Sequence, residues 1–327
     1  MPPTVTQWAW PWLAVLAAAA SLSAPARAEF PERTVKIVVP FEAGGTVDTV
    51  ARALADRLKT KWQVPVIVEN RPGAGNIVGA QAVARAEPDG YTLLLANTSI
   101  SVNPSLYKTL PYDTNRDLAP VVFLAPSPNV LLVQKRLGVA TLADLIALAR
   151  SRADHPLTFA SVGKGSFHHV AMELFRVAAG VALVHVPYKG VAPAMLAFIR
   201  GDVDLYCSDI PGALAGIRSG DLQPLAVTSA TRIATLPQLP TMREAGLPDY
   251  AAIGYVGVMV TGGTPAAVIK TLNAAINEVI RTGDFDRRFA ELGYEMKGGS
   301  AEEFASFLER DVARYAELMK SLGGQIE

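Results

Sequence analysis

The sequence predicts an α/β protein of two domains, each a sheet flanked by helices, and three observations support this fold class. Apolar runs of strand length alternate with segments of helical periodicity along the chain. The 327 residues are too many for one doubly wound sheet. Proline-rich stretches near 104–128 and 230–249 interrupt the alternation, and we expect the chain to cross between domains there. Residues 29–126 and 231–327 would then form one domain, and residues 127–230 the other.

The first domain begins with a β-rich run over residues 34–41, followed by a helix whose apolar residues recur at helical spacing from Val47 to Trp62. Strands over 66–69 and 91–96 flank a helix near 76–86 that is rich in Gly and Ala. The continuous apolar run 93–95 is typical of a parallel sheet covered on both faces.

A second alternating series follows strands at 121–125 and 130–133. It comprises helix 141–152, strand 157–160, helix 166–179, strand 182–186, helix 191–200, strand 202–206, helix 211–219 and strand 224–229. A strand over 250–260 belongs to the first domain again. Thr264 and Pro265 predict the cap and first position of a helix, and Ser300 with Glu303 predicts a capping box for a last helix over 301–321.

The amino terminus predicts export. An apolar run over 8–22 is followed by Ala26 and Ala28, the small residues that a signal peptidase needs for a cut before Glu29. No basic residue precedes the run, so an uncleaved membrane anchor is the alternative, although the run is short for a membrane span. We expect residues 1–28 to be a signal peptide and the mature protein to be free in the periplasm.

Composition excludes several classes of protein. With 30 basic and 30 acidic residues, the chain has no general electrostatic attraction to nucleic acid or to an anionic membrane. The single cysteine, Cys207, excludes an internal disulfide and any multi-cysteine metal site, and we interpret it as a buried small hydrophobe. No cofactor and no metal is predicted.

Two glycine-containing loops lead from a strand into a helix, where open α/β sheets bind ligands. The first covers residues 41–48, with Gly44 and Gly45; the second covers 160–166, with Ser161 and Ser166. Glycine allows close approach of the backbone, and free N–H groups at a helix start favour an anion. An ordinary βα turn is the alternative for each loop.

Sharper motifs do not fit. Residues 163–166 lack the earlier glycine of a Walker phosphate loop, and Val78 stands at the third glycine position of a dinucleotide fingerprint. His168 and His169 are adjacent on a predicted helix, so they diverge by about 100° and do not suit one metal. A hydrolase using Ser166 with His169 would need an orienting acid and an oxyanion hole that the sequence does not identify.

Several strings nevertheless resemble one family, the receptors of tripartite tricarboxylate transporters, also called Bug-type solute-binding proteins. The most specific are Glu69-Asn-Arg-Pro-Gly-Ala-Gly75 and His185-Val-Pro-Tyr-Lys-Gly190. Others are residues 35–48, 88–93, 110–113, 159–161, 225–229 and 239–246. The resemblance covers essentially the whole mature chain in order.

This resemblance implies a type II (Venus-flytrap) periplasmic binding fold that closes on a small carboxylate and catalyses nothing. The ligand would be a di- or tricarboxylate, an aromatic acid or an acidic amino acid. The receptor would be a monomer that delivers it to permease subunits of the TctA/TctB type, without stable membrane insertion. By position the pocket would comprise Phe41, Glu42, Ala43, Gly44, Gly45, Asp48, Asn97, Thr98, Ser161, Val162, Gly163, Lys164, Gly165, Ser166, His169, Ser208, Asp209 and Tyr255.

Three positions depart from the family pattern: Glu42 replaces a usual proline, Lys164 a small or neutral residue, and Ser208 a common Asp. We hypothesise that Glu42 receives a ligand ammonium or pairs with Lys164 across the closed cleft. The alternative is that both side chains point to solvent at the cleft rim. Two other functions stay open, a sensory receptor that binds without transport and, less favoured, a hydrolase using Ser161 or Ser166 with His169.

Overall fold

The computed structural model describes residues 30–250 and 252–321. The predicted signal peptide lies outside the described residues, so the expected cut before Glu29 stays a prediction. Within the described residues no helix is long and apolar enough to cross a membrane.

The first of two five-stranded sheets has the order β2-β1-β3-β10-β4. Its strands are β1 (Val35–Val39), β2 (Val66–Asn70), β3 (Thr92–Asn97), β4 (Leu118–Ser127) and β10 (Gly254–Thr261). Strands β1 to β3 are parallel, with Val35 opposite Val66 and Ile37 opposite Leu93. Strand β10 runs antiparallel to both β3 and β4.

The second sheet repeats this arrangement with the order β7-β6-β8-β5-β9. Its strands are β5 (Asn129–Val133), β6 (Leu157–Ser161), β7 (Leu183–Pro187), β8 (Leu205–Asp209) and β9 (Gln223–Val227). Here β5 is the antiparallel strand, between β8 and β9. Only Pro128 separates β4 from β5, so the chain passes directly from one sheet to the other.

Helices cover both faces of each sheet. They are α1 (Thr46–Trp62), α2 (Ile77–Ala84), α3 (Ser99–Leu106), α4 (Thr114–Asp117), α5 (Leu142–Ser151), α6 (Phe167–Ala179), α7 (Val191–Arg200), α8 (Ile210–Ser219), α9 (Ala266–Ile280), α10 (Gly283–Ala290) and α11 (Ala301–Ser321). Short 3₁₀ turns occur at Ala74–Asn76 and Lys135–Leu137.

Alternate residues of one strand reach opposite cores, as strand geometry requires. Ile37 of β1 packs in a cluster with α1, α9 and α10, whereas the adjacent Val38 packs in a cluster with α2, α3 and α11. The second sheet is covered in the same way, by α5 and α6 on one face and by α7 and α8 on the other. This two-sided burial explains the uninterrupted apolar runs in the sequence. Cys207 is a free, buried thiol whose pKa burial raises to about 12, as expected for a small hydrophobe.

The connection after β9 packs with the second sheet. Leu236 and Leu239 lie in one of its core clusters, and Met242, Leu247 and Tyr250 lie in the other. The predicted division of the chain stays a proposal. Because this connection packs with the second sheet, we propose that the second crossing between the domains lies near residue 253 and not near residue 230.

Local structure departs from the sequence expectations in four places. Both sheets are mixed, not parallel, because the returning strand of each runs antiparallel. Helices α3 and α4 lie at or within the proline-rich stretch near 104–128, for which no helix was predicted, and α10 was not predicted either. Helix α9 begins at Ala266, so Pro265 is its N-cap residue and not its first helical residue. The Thr264 hydroxyl donates to the Thr261 carbonyl and does not cap the helix.

The predicted capping box before α11 is confirmed. The Ser300 amide donates to Glu303 Oε2 at 2.7 Å, and the Glu303 amide donates to Ser300 Oγ at 3.1 Å.

Candidate functional site: the cleft between the two sheets

The carboxyl ends of β1, β3, β6 and β8 lead into loops that meet between the two sheets. Thr46 Oγ1, at the start of α1, donates to Asp209 Oδ2 at the end of β8 over 2.5 Å. Ser99 Oγ, after β3, lies 3.5 Å from the Gly165 carbonyl oxygen in the loop after β6. Residues that follow strands of both sheets therefore meet at the cleft between them, and ligand binding by the two glycine loops stays a prediction.

We name the first sheet with its helices the first unit and the second sheet with its helices the second unit. The two units approach each other closely at two glycines, both with positive φ. A Cβ atom at Gly75 would lie 2.9 Å from the Lys164 carbonyl oxygen, and one at Gly165 would lie 2.4 Å from the Leu106 side chain. The Gly75 contact is with backbone, so it excludes a side chain, and the positive φ favours glycine at both positions.

Asp48 organises the first loop from inside. It is buried and accepts hydrogen bonds from the Gly44 amide (2.9 Å), from Asn70 Nδ2 (2.9 Å) and from Arg52 Nε (2.8 Å). Burial alone would raise the pKa of Asp48, but these hydrogen bonds outweigh it and lower the pKa. Its oxygens are thus engaged by donors of the first unit, so we do not include Asp48 among the residues proposed to contact the ligand.

A network of buried amides fixes the end of β3. Asn97 Oδ1 accepts from the Ser99 amide at 2.9 Å and from Asn76 Nδ2 at 3.2 Å. Two donors on one oxygen determine the orientation of the amide, so Nδ2 points elsewhere. That nitrogen is buried and has no partner within the described part of the chain. The neighbouring Thr98 Oγ1 accepts from the Tyr255 amide at 3.1 Å.

Serine side chains close the second loop on itself. Ser161 Oγ accepts from the Gly163 amide at 3.0 Å, and Ser166 Oγ donates to the Gly163 carbonyl at 2.7 Å. Ser166 is also the N-cap of α6 and accepts from the His169 amide at 3.4 Å. Val162 is partly buried and packs against the core cluster between the second sheet and helices α7 and α8.

His169 is completely buried beneath this loop, and its Nδ1 accepts from the Gly165 amide at 3.2 Å. Burial, with His185 and Lys164 nearby, lowers the pKa of His169 to about 3. The ring is therefore neutral with its proton on Nε2, and this buried N–H has no partner among the described residues. His185 stacks on the ring and places Nε2 at 2.6 Å from Ser161 Oγ.

The carboxyl end of β8 contributes Ser208 and Asp209, both buried. Ser208 Oγ donates to the Asp209 carbonyl at 3.1 Å. His168 lies near Asp209, yet its ring nitrogens make no hydrogen bond to any described residue. Burial lowers the pKa of His168 against the opposing effect of Asp209.

Glu42 and Lys164 are both exposed. The ion pairs of the described residues do not include one between them, so the hypothesised pair is not formed in this arrangement. The Glu42 side chain instead approaches the second unit at Gly190, where a Cβ would lie 3.8 Å from Glu42 Cγ. Ala43 and Gly44 are exposed beside it.

Two aromatic residues of the expected pocket belong to the interior. Phe41 packs partly buried against the first core, and its carbonyl accepts from Asn70 Nδ2 at 3.1 Å. Tyr255 is buried among Phe123, Phe304 and Phe307, with its hydroxyl 3.1 Å from Ser101 Oγ. It supports β10 from within the core, and we do not include it among the residues proposed to contact the ligand.

Sequence reasoning missed Thr46, Asn76, Ser99 and His185 as site residues. Asn76 directly follows the Glu-Asn-Arg-Pro-Gly-Ala-Gly string and His185 opens the His-Val-Pro-Tyr-Lys-Gly string, so the motifs already marked both regions. Thr46 lies within the predicted loop 41–48, whereas Ser99 carries no comparable signal, because its role depends on a contact between distant parts of the chain.

The geometry gives little support to catalysis or metal binding. The side chain of His169 bonds an amide, not Ser161 or Ser166. Burial, with Lys164, lowers the pKa of His185 to about 4, which makes it a weak base at neutral pH. Among the described residues no group of three or more His, Cys, Asp or Glu could hold a metal ion.

Comparison with known proteins agrees with this architecture. The model of the tripartite tricarboxylate transporter family receptor matches residues 50–324. The periplasmic binding protein BugD superposes with a TM-score of 0.84 at 34% identity, covering 90% of this chain and 99% of that one.

Two similar structures hold dicarboxylates. Rpa4515 from Rhodopseudomonas palustris, solved with adipate, has a TM-score of 0.85 and 35% identity, covering 90% of this chain and 99% of its own. MatC from the same species, solved with malate, has a TM-score of 0.82 and 31% identity, covering 88% and 99%.

Proposed function

The chain belongs to the tripartite tricarboxylate transporter receptor family of Bug-type periplasmic solute-binding proteins, and from this premise we propose that it captures a small carboxylate by closure of its two units. The adipate and malate bound by similar proteins support this ligand class.

The observation that carries the proposal is a pair of buried N–H donors, one in each unit. Asn97 Nδ2 and His169 Nε2 both lack an acceptor within the described part of the chain. They belong to one connected set of contacts, since Asn97 bonds Ser99, Ser99 approaches Gly165, and Gly165 bonds His169. A buried donor without an acceptor costs about 1–3 kcal/mol. A carboxylate oxygen reaching both donors would remove that cost only when the units are closed.

The energy required for closure is within reach of such contacts. Moving an equilibrium from 1:99 to 99:1 takes roughly 5.5 kcal/mol of differential binding. A hydrogen bond to a charged group contributes about 1.5–3 kcal/mol, so two to four bonds formed only on closing suffice. Besides these two donors, we propose as contacts the backbone at 43–45, the residues Thr98, Ser161 and Ser166, the loop 162–165, and Ser208 with Asp209.

The finer parts of the function follow from family membership. We propose that residues 1–28 direct export, that the mature receptor is a periplasmic monomer without a cofactor, and that it delivers its ligand to a permease of two membrane subunits. A receptor that signals ligand presence without transport is the alternative. Loss of uptake after deletion of the membrane subunits would favour transport.

The first experiment is native mass spectrometry of residues 29–327 as purified, followed by thermal shift against mono-, di- and tricarboxylates, aromatic acids and amino acids. A ligand at one hundred times its Kd should stabilise the protein by about 2.7 kcal/mol. If no acid co-purifies and none raises the Tm, carboxylate capture is wrong.

One contact favours a second candidate function, because Ser161 Oγ and His185 Nε2 lie 2.6 Å apart as in a hydrolase dyad. We propose that this contact holds the loop and that the protein is not an enzyme. Within the described residues no carboxylate hydrogen-bonds His185 to orient it. Turnover in a broad ester screen, abolished by Ser161→Ala, would reverse this assignment.

A further inference from the structure

One carboxylate in the cleft differs from the other buried acids. Asp48, Glu173, Asp209 and Asp311 are the four acidic residues that are buried among the described residues. Three of them pair with an arginine of their own helix: Asp48 with Arg52 at 2.8 Å, Glu173 with Arg176 at 2.7 Å and Asp311 with Arg314 at 2.6 Å. Asp209 is only 6% exposed, yet no Lys, Arg or His nitrogen of the described residues lies within 4.0 Å of its carboxylate oxygens.

The hydrogen bonds of Asp209 do not supply the missing positive charge. Oδ2 accepts from Thr46 Oγ1 at 2.5 Å, and Oδ1 lies 3.5 Å from Ser208 Oγ. Both partners are neutral hydroxyls. Asp209 is the N-cap residue of α8, but its side chain makes no capping hydrogen bond, and the helix terminus offsets only about half a charge. A buried charge that keeps no partner is unfavourable, so buried carboxylates are normally paired.

The position of Asp209 indicates where the partner comes from. The residue ends β8 at the cleft and contacts the first unit through Thr46, so any group beside it lies between the two units. Glu42, on the facing loop, adds a second negative charge at the rim. Lys164 provides a positive charge in a different part of the cleft. Its charge helps to lower the pKa values of His169 and His185, whereas the charge of Asp209 favours higher pKa values for His168 and Tyr206.

We infer that Asp209 binds a positively charged nitrogen of the ligand, so that this receptor prefers carboxylates that also carry an ammonium group. The inference rests on the proposed function and specifies its ligand class. The ammonium supplies the cation that the other buried acids receive from arginine. The ligand carboxylate takes the side of the cleft that holds Lys164 and the His169 donor.

The test uses acids that differ only in an amino group. Isothermal titration of the protein compares succinate with L-aspartate, glutarate with L-glutamate and adipate with L-2-aminoadipate. We expect the aminated member of at least one pair to bind roughly tenfold tighter or more, the effect of one charge-assisted hydrogen bond. Asp209→Asn keeps an oxygen that can accept from Thr46 but removes the charge, and it should abolish this preference.

The outcomes separate the inference from the proposed function. If plain acids bind the wild-type protein as tightly as aminated ones, or if the preference survives in Asp209→Asn, the inference is wrong and carboxylate capture stands. If neither series binds but another acid of the thermal-shift screen does, the inference is wrong and carboxylate capture stands; if no acid of that screen binds, carboxylate capture fails and the inference falls with it. Binding of plain acids that requires added Mg²⁺ would assign the cation to a metal and would also overturn the inference.

A second measurement needs no ligand. Because Asp209→Asn removes an unpaired buried charge, the Tm of the ligand-free variant should equal or exceed that of the wild type. Asp311→Asn is the matched control, since it breaks the buried ion pair of Asp311 with Arg314 and should lower the Tm. An equal fall in Tm for both variants would show that Asp209 is already compensated within the protein.

Discussion

The imidazole rings of His169 and His185 stack with their centroids 3.9 Å apart and their planes 16° apart. One ring belongs to α6 and the other to β7, so the stack connects the helix behind the second loop to the neighbouring strand. Two charged rings at this distance would repel each other, and the lowered pKa values of both histidines mean that the stack forms between neutral rings.

This stack predicts acid sensitivity. The pKa values are about 3 for His169 and about 4 for His185 in the folded protein, against about 6.5 in an unfolded chain, so the unfolded state binds more protons between these limits. The two neutral histidines make their full contribution to the free energy of unfolding above pH 6.5. This contribution declines as the pH falls below 6.5, and its loss is complete once the pH has passed through about 4 and about 3. Each histidine should contribute up to about 1.4 kcal/mol per pH unit to the free energy of unfolding.

Urea denaturation at several pH values between 4.5 and 7.5 measures this slope. His169→Gln should flatten it, whereas His155→Gln, at an exposed position, should leave it unchanged. An identical slope in wild type and His169→Gln would contradict the prediction.

His185→Phe tests the support of the second loop. The phenyl ring can keep the stacking on His169 and Phe159, but the hydrogen bond to Ser161 is lost. We expect ligand affinity to fall severalfold while the free energy of unfolding changes by about 1 kcal/mol or less. Calorimetric titration with the best ligand from the thermal screen gives the affinity. The exposed His155→Phe is the control, and equal affinities of both variants would show that the Ser161 contact is dispensable.

Thr46→Val tests the hydrogen bond between the two units. This bond joins α1 to the end of β8, so it exists only when the units are closed. Its loss should weaken binding roughly tenfold and increase the radius of gyration of the ligand-free protein in small-angle scattering. Thr60→Val, on the exposed side of the same helix, serves as the control. A Thr46 variant with unchanged affinity and scattering would mean that this bond does not bias closure.

Glu42→Pro and Lys164→Ala test the rim charges. Since the two side chains do not pair, their effects on ligand affinity should add to within about 0.5 kcal/mol in the double variant. Each single change should be modest, about 1 kcal/mol or less, because both groups are exposed. We expect Lys164→Ala to weaken binding of plain dicarboxylates and Glu42→Pro to strengthen it. A coupling energy well above 1 kcal/mol would indicate that the two charges meet in the ligand-bound state.

Local signals predicted most of the elements. The Ser300–Glu303 capping box and the apolar spacing of α1 depend only on neighbouring residues, and both were found as expected. Strand direction was not predictable in this way, because the antiparallel pairing of β10 with β3 joins residues far apart in sequence. Helix α3 was missed because it contains Pro104, which lies near its end and so disrupts only the last turn.

The candidate site was predicted as a region but not in its details. The two glycine loops were identified from the sequence, and the structure brings them to one cleft. The sequence could not show that Asp48 turns inward or that Tyr255 lies in the core, since both depend on tertiary packing. Nor could it show that Asp209 differs from Asp311. The sequence shows that Asp311 has an arginine three residues away, but it does not show whether a cation from a distant part of the chain lies beside Asp209 in the folded protein.

The central position of β10 also sets an order of assembly. The second sheet can be complete once β9 and the connection to residue 252 have been synthesised. The first sheet cannot be complete at that stage, since β4 is joined to β1, β2 and β3 only through β10, which has not yet been synthesised. During synthesis the middle of the chain can therefore reach its native structure while the earlier segment still waits for a partner strand, the reverse of the usual order. Nascent chains that stop before residue 254 would expose the unpaired edges of β3 and β4 to aggregation or chaperone binding.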